Sequence, residues 1–549
     1  MNGPPNQVEH GNVAALNARR RTRRAKSNGH LRDDEEPAAP DLRPSIRLRG
    51  GGLADHAAEA ERILAAETLV SPMSGIYARG SLLMRPVRLQ RAQETNGIRR
   101  AGGSLQLMPT TPDYLRLELT RLARFLKYDK RSEAWLDTDA PESVAKSVLA
   151  AVPWPVMPRL SAVVEAPTLR PDGTLLDRPG YDQATGLLFD PNGCTFVPIP
   201  TRPTRQAAGA GLASLKEILR DFPLDAASRS VAIAGIITSL TRRSLRSAPL
   251  FGFTAPKMAS GKTLLATIIA YIATGRAPAM LTQADDAESE RKRLLALLLE
   301  GAAIAVIDNI ERPLASAALN SILTEPMIAD RVLGLSRMAS VPTNAMFCAT
   351  GNNLVIGADL STRALVCALD PRCERPEERR FEVNLHEMVP ARRGELVAAA
   401  LSIPLAYLAA GAPPQNLPPF GRFEDWSRWC RDPLVWLGEA DPCATRQRIE
   451  SRDPVREQLR VLLAAWHAVF DASGQTVATA VQLDTASDAT MALREAILAV
   501  AQQGREVNTR QLGNFISKHE NRIEGGLSFA RAGSRQGVAM WAAVPVEEP

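Results

Sequence analysis

Apolar residues fall along this chain in two patterns, and each predicts a different kind of element. Helical spacing runs through Tyr114 to Leu126, Glu142 to Ala151, Leu264 to Tyr271, Arg392 to Leu408, Phe423 to Trp436, Pro454 to Phe470 and Met491 to Val500. Near-continuous apolar runs predict fully buried strands at Ala248 to Thr254, Ala302 to Ile307, Asn344 to Thr350 and Ala364 to Leu369. Gly75 to Val87 and Leu187 to Pro198 read as shorter strand-like runs, while residues 1–50 carry no apolar period at all.

These patterns divide the chain. Residues 1–52, rich in Pro, Gly and charge, predict a disordered basic tail. Residues 53–200 predict a small mixed α+β domain, 201–224 a Pro/Gly/Arg-rich linker and entry helix, and 225–411 an α/β core. A Trp-containing helical section over 412–486 and a closing unit over 487–549 complete the order.

Charge changes the picture mainly at the N-terminus. The chain carries 66 basic and 60 acidic side chains, and residues 1–50 hold ten of the basic against six of the acidic ones. Arg19-Arg20-Arg21, Arg23, Arg24 and Lys26 cluster tightly, which suits a solvated tail and equally one that condenses on nucleic acid phosphates. The longest apolar stretch, Leu264 to Gly275, is far short of the ~20 residues of a membrane span, and the N-terminus has no apolar signal region. The expectation is a cytoplasmic protein with no membrane role. Six cysteines with no CxxC pair, and six histidines that do not cluster near them, argue for free packed thiols over zinc sites or disulfides.

The strongest local signal is Pro256-Lys257-Met258-Ala259-Ser260-Gly261-Lys262-Thr263, with a strand-like run before it and a helical one after. That is the order of a phosphate-binding loop. Backbone N–H groups from Ser260 and Gly261 onward would meet phosphate oxygens, Lys262 would reach the β- and γ-phosphates of ATP, and the Thr263 hydroxyl would ligate magnesium. The first position departs from the usual pattern: Pro256 replaces a glycine and lacks an N–H. About forty residues on, the apolar run Ala302 to Ile307 ends in Asp308-Asn309, a strand tipped by an acid in the Walker B manner. Asp308 would hold the magnesium shell, whereas Asn309 stands where a Glu often polarises the attacking water. Glu311 lies close by.

A further strand ends in Gly351-Asn352-Asn353, and Asp359-Leu360-Ser361-Thr362-Arg363 then leads into Ala364 to Leu369. The succession of phosphate loop, Asp-tipped strand, hairpin, ATGNN and DL(S/T)xR resembles AAA+ helicases of the superfamily 3 and MCM-like type, among them replication helicases and primase-helicase fusions of phages, plasmids and integrated elements. It covers about residues 225–411, and the rest more loosely. The resemblance implies an AAA+ core with ATP at the interfaces of a homo-hexameric ring and single-stranded DNA in its pore. By the same resemblance Asn352 is the sensor residue with Asn353 in reserve, Arg363 is an arginine finger, and Arg337, near the tip of a hairpin over Asp330 to Pro342, touches DNA. Arg392 or Arg393 is a candidate second sensor, and Arg291-Lys292-Arg293 reads as a helix's polar face.

The closing unit reads as helix, helix and hairpin, a winged helix. Arg510, Lys518 and Arg522 on its second helix, predicted from Arg510 to Ile523, and Arg531 and Arg535 on its wing would meet duplex phosphates, although winged helices also serve as protein contacts. Three functions are open at this stage. The leading one is an ATP-dependent DNA helicase or translocase in replication of a mobile genetic element. The second is a DNA-binding initiator or loader in which ATP is a switch, an option Asn309 keeps open. The third, primase chemistry in residues 53–200, needs strand-borne carboxylates, but Asp137 and Asp139 read as following a helix, while Asp172 and Asp190 sit in turn signals and Asp129, Asp177 and Asp182 show no pairing.

Overall fold

The apolar runs meet in one seven-stranded sheet, in a computed structural model that describes residues 41–331, 338–373, 375, 378, 382–451, 453–484, 487–503 and 506–546. Contacts divide the chain into Met1–Arg43 and Pro44–Pro549, and the second unit holds every described helix and strand. The sheet runs in the order Ala364–Ala368, Leu250–Ala255, Met346–Asn352, Ile304–Ile310, Ala279–Thr282, Ile98–Arg100, Gln93–Thr95. Its first five strands are parallel. The last two are antiparallel additions from the N-terminal region, Ile98 pairing with Leu281.

Burial on both faces explains the apolar runs. Phe251, Phe253, Val306, Cys348 and Cys367 face the helices Ala226–Thr241, Lys262–Thr274 and Arg393–Ala409. Their alternates Leu250, Ala305, Ile307, Phe347, Ala349 and Val366 face Ala287–Leu299 and Ala317–Thr324. The chain is thus a mixed α/β fold with several sheets around an α/β centre.

The N-terminal region packs helices Leu53–Val70, Pro112–Leu122 and Glu142–Ala150 on a three-stranded sheet of Ser45–Leu48, Arg124–Asp129 and Ala134–Thr138. The predicted helix to Leu126 stops at Leu122, because Phe125 is drawn into a strand paired with Ile46. Asp137 is likewise on a strand and not after a helix, its carboxylate held by Arg124 at 2.8 Å. Buried arginines tie this region to the core: Arg79 donates to Leu298 O at 2.9 Å, Arg100 pairs with Glu300, and Arg393 donates to Ile272 O, Ala273 O and Glu165 O.

At the other end, helix Pro454–Phe470 packs through Leu459, Leu462 and Trp466 against Phe529, Trp541 and helices Asp488–Ala501 and Thr509–Lys518. The strand Gln475–Thr476 and the hairpin Leu527–Arg535/Val538–Pro545 form its three-stranded sheet. Helix Pro454–Phe470 thus shares a core with the residues beyond Ser487, where the sequence pattern starts the closing unit. Its second helix ends at Lys518, short of the predicted Ile523, and the chain then turns through Asn521 at φ 60°. No helix among the described residues is long and apolar enough to cross a membrane.

Candidate functional site

The Leu250–Ala255 strand delivers the chain to a loop, and the loop to the helix Lys262–Thr274. Two left-handed residues shape that loop, Ala259 at φ 56° and Gly261 at φ 92°, the latter capping the helix. Glycine takes this conformation without steric cost, whereas Ala259 holds it at some strain. The result aims the first helical N–H groups outward, where the partial positive end of the helix favours an anion. Ser260 is buried and its hydroxyl donates to Lys257 O at 2.8 Å, stitching the loop to itself.

Side chains from two adjacent parallel strands, Ile304–Ile310 and Met346–Asn352, meet those of the helix's first turn here. Lys262 Nζ donates to Asn352 Oδ1 at 2.8 Å and to Lys257 O at 3.1 Å. Thr263 Oγ1 donates to Asp308 Oδ1 at 2.9 Å, and Thr350 Oγ1 donates to the same oxygen at 2.5 Å. Burial lowers the Lys262 pKa from the usual lysine value, with the Asp308 charge opposing the shift. An ammonium so placed gains most from an additional anion. Thr263 and Asp308 together offer hard oxygen donors of the kind magnesium takes, so the residues fit that ion.

A bulge in the Ile304–Ile310 strand between Ile307 and Ile310 puts Asp308 and Asn309 at the sheet's tip. Asn309, at φ 53°, donates its N–H to Thr350 Oγ1 at 3.1 Å and its side-chain amide to Glu311 Oε1 at 3.2 Å. Thr350 was not singled out from sequence, although its place just before Gly351-Asn352 was the available signal. Asn353 turns away at φ 48°, exposed, its N–H bonded to Ala255 O.

Other candidates lie elsewhere. Arg363 ends the turn Ala358–Arg363, where Ala364 stands opposite Leu250, the start of the strand whose far end is the loop. Five residue steps at about 3.3 Å separate the two ends, so roughly 17 Å keeps Arg363 from the Lys262 loop of its own chain. Arg337 lies outside the described residues; the hairpin strands Met327–Arg331 and Met338–Pro342 flank it. Arg392 is occupied by Glu217 and Glu395, and Arg393 is buried among main-chain carbonyls, so neither reaches the loop as a second sensor. Arg291 pairs with Asp330 and Lys292 with Glu288, as a polar helix face would.

In the C-terminal module Arg510 and Lys518 are exposed on the Thr509–Lys518 helix, and Arg535 is exposed at the end of a hairpin strand. Arg522 lies beyond the helix, paired with Glu524 at 3.2 Å, and Arg531 lies over the Trp541 ring. Among the N-terminal acids Asp139 pairs with Arg116, Asp182 with Arg170 and Asp190 with Arg88, while Asp129 and Asp172 brace turns. No group of three potential metal-ligating side chains occurs among the described residues. Burial pushes the Cys430 and Cys443 thiols up to about 12, in keeping with packed free cysteines.

No family model and no curated protein matches the chain. Among solved structures, 78 chains match. One is an apo form of the NrS-1 C-terminal region, with 13% identity, a TM-score of 0.35, and coverage of 79% of this chain and 100% of that one. A second, the apo NrS-1 C-terminal region 305–718, has 10% identity and a TM-score of 0.39 over 88% of this chain and 98% of that one. A third, SCCmec type IV Cch, described as an active helicase, has 11% identity and a TM-score of 0.31 over 86% of this chain and 98% of that one.

Proposed function

We propose that the chain is an ATP-dependent DNA helicase or translocase with an AAA+ core, acting in replication of a mobile genetic element. The observation that carries this reading is the convergence of Lys262, Thr263, Asp308 and Asn352 at one end of adjacent parallel strands, over a helix start shaped by Gly261. Numbering the five parallel strands by their order in the chain, the sheet reads 5-1-4-3-2, the arrangement expected of that class.

In this reading the helix-end N–H groups and Lys262 hold the triphosphate, and Asn352 exchanges its bond to Lys262 for one to the γ-phosphate. Thr263 and Asp308 would hold magnesium, which when bound would supply positive charge against the triphosphate. Asn309 keeps Glu311 at the sheet's tip, where its carboxylate orients the attacking water. Arg363 is too far from its own loop to serve it. It acts on the nucleotide of a neighbouring copy, which makes the working assembly a ring, a homo-hexamer on the resemblance drawn from sequence. The hairpin carrying Arg337 engages single-stranded DNA, and the C-terminal module, as a winged helix, meets duplex through Arg510, Lys518 and Arg535, with Arg522 and Arg531 in supporting positions.

ATP turnover measured with and without single-stranded DNA tests the proposal: stimulation by DNA supports it. One observation favours a second reading. The residue after Asp308 is an amide already bonded to Glu311, so an initiator with slow turnover, in which ATP is a switch, would show tight nucleotide-dependent duplex binding without stimulated hydrolysis.

A further inference from the structure

The end of the sheet away from Lys262 carries a second concentration of positive charge. Segments far apart in sequence close around a cleft of about 450 Å³ at the foot of the hairpin, with Thr185, Arg243, Arg246, Asn344, Asp425 and Arg428 in its walls. Three of these are cations and one is an acid. Arg246 and Arg428 are exposed, and neither makes a hydrogen bond or ion pair with any described residue.

Arg243 forms the cleft's buried wall. Its guanidinium donates to Asn344 Oδ1 at 2.8 Å and to Gly301 O at 2.7 Å, and no carboxylate lies within ion-pair distance among the described residues. Desolvation, with Arg79 and Arg242 beside it, lowers its pKa to about 9. The Ser244 hydroxyl, also in the wall, is buried without a partner. Guanidinium charge held in a low-dielectric wall and left unneutralised focuses positive potential into the opening. Two unengaged, exposed guanidinium groups are the donors a tetrahedral oxyanion would use.

Met327 and Pro342, the outer ends of the two hairpin strands, also line the cleft. The cleft therefore borders the hairpin strands. We propose that this cleft binds a backbone phosphate of the single-stranded DNA that the hairpin engages, through Arg246 and Arg428, with Arg243 as fixed charge behind them. The proposal rests on the DNA-binding part of the function proposed above and not on the nucleotide site.

The test uses the full chain and a fluorescein-labelled oligothymidylate, with binding followed by anisotropy over a range of salt. In Arg246→Ala/Arg428→Ala, which removes the one proposed phosphate contact, the magnitude of the salt slope should fall by about 0.7. Arg62→Ala/Arg116→Ala, which removes two surface cations elsewhere, should leave the slope unchanged. Asp425→Asn should tighten binding. Both cleft arginines are exposed, so a thermal melt should match wild type. An unchanged slope in the cleft variant overturns the proposal, as does a cleft that holds inorganic pyrophosphate in wild type and loses it in the variant while the oligonucleotide slope stays put. Should the slope fall in a protein that hydrolyses no ATP, the cleft stands and the ATPase reading falls; normal DNA-stimulated hydrolysis with an unchanged slope condemns the cleft alone.

Discussion

Gly80→Ala probes how the N-terminal region holds the hairpin. Gly80 sits at φ +58° between the strands Tyr77–Arg79 and Leu82–Arg88, and a Cβ built there would overlap the Ser340 carbonyl oxygen, well inside the 3.0 Å that real Cβ contacts keep. Nearby, Ser81 Oγ donates to Met338 O at 3.0 Å, and Ala339 is buried with Tyr77, Leu82 and Met84. The left-handed backbone costs an alanine about 1–2 kcal/mol. Overpacking against a strand that cannot easily move adds about 1–3 kcal/mol, for a total of about 2–5 kcal/mol. Gly51, at φ +78° with nothing within 4 Å of its Cβ position, is the control that meets only the dihedral part. Hydrogen exchange reads the difference locally, since each 1.4 kcal/mol is about tenfold in an opening equilibrium. The Ala339 and Val341 amides should lose protection by about 30-fold or more in Gly80→Ala and be unaffected in Gly51→Ala. Wild-type protection at those two amides in Gly80→Ala would refute the bracing contact.

Arg363→Ala should retain nucleotide binding and lose hydrolysis, and mixing it with Lys262→Ala subunits should restore part of the turnover; strictly additive rates would contradict action across an interface. Arg393→Ala leaves the carbonyls of Ile272, Ala273 and Glu165 without their donor in a site where the arginine is 4% exposed. It should cost about 3–5 kcal/mol in denaturant unfolding, and a loss under about 1 kcal/mol would show that water replaces those bonds. Arg510→Ala/Lys518→Ala should weaken duplex binding uniformly across sequences and lower the duplex salt slope by about 1.8, against an unchanged slope if the module is a protein contact.

What the sequence disclosed follows from how each element is stabilised. The strands of the parallel centre are buried on both faces, so Leu250–Ala255 and Met346–Asn352 announce themselves as apolar runs within two residues of their ends. Helix Pro454–Phe470 is marked at its start by its own residues, Asp453 capping it and Pro454 fixing the first turn. The same periodicity misled where two elements abut: Phe125 and Leu126 continue the apolar phase of the preceding helix yet belong to a strand. Placement in the sheet was hidden for Gln93–Thr95 and Ile98–Arg100, which are mostly polar and bury only Ile98 and Arg100, both on one face of the second strand. Their turn, Asn96-Gly97 at φ 54° and 70°, is nevertheless the most recognisable hairpin dipeptide, and it was the signal to use. Of the site, Gly261-Lys262-Thr263 and Asp308 are local motifs, whereas the bonds from Thr350 to Asp308 and from Asn309 to Glu311 depend on strand register and a bulge. The cleft around Arg243 and Arg428 depends on chain crossings that no local pattern encodes.

The central claim is that Lys262, Thr263 and Asp308 form a nucleotide site whose turnover drives movement on DNA. Strand separation of a forked DNA substrate with ATP, run side by side for the wild-type chain and Lys262→Ala, tests it most directly. The account predicts ATP-dependent unwinding by wild type and none by Lys262→Ala, whose thermal melt in the absence of nucleotide stays close to wild type. Unwinding by Lys262→Ala at the wild-type rate, or a wild-type protein that binds ATP and duplex tightly yet separates no strands, would contradict it.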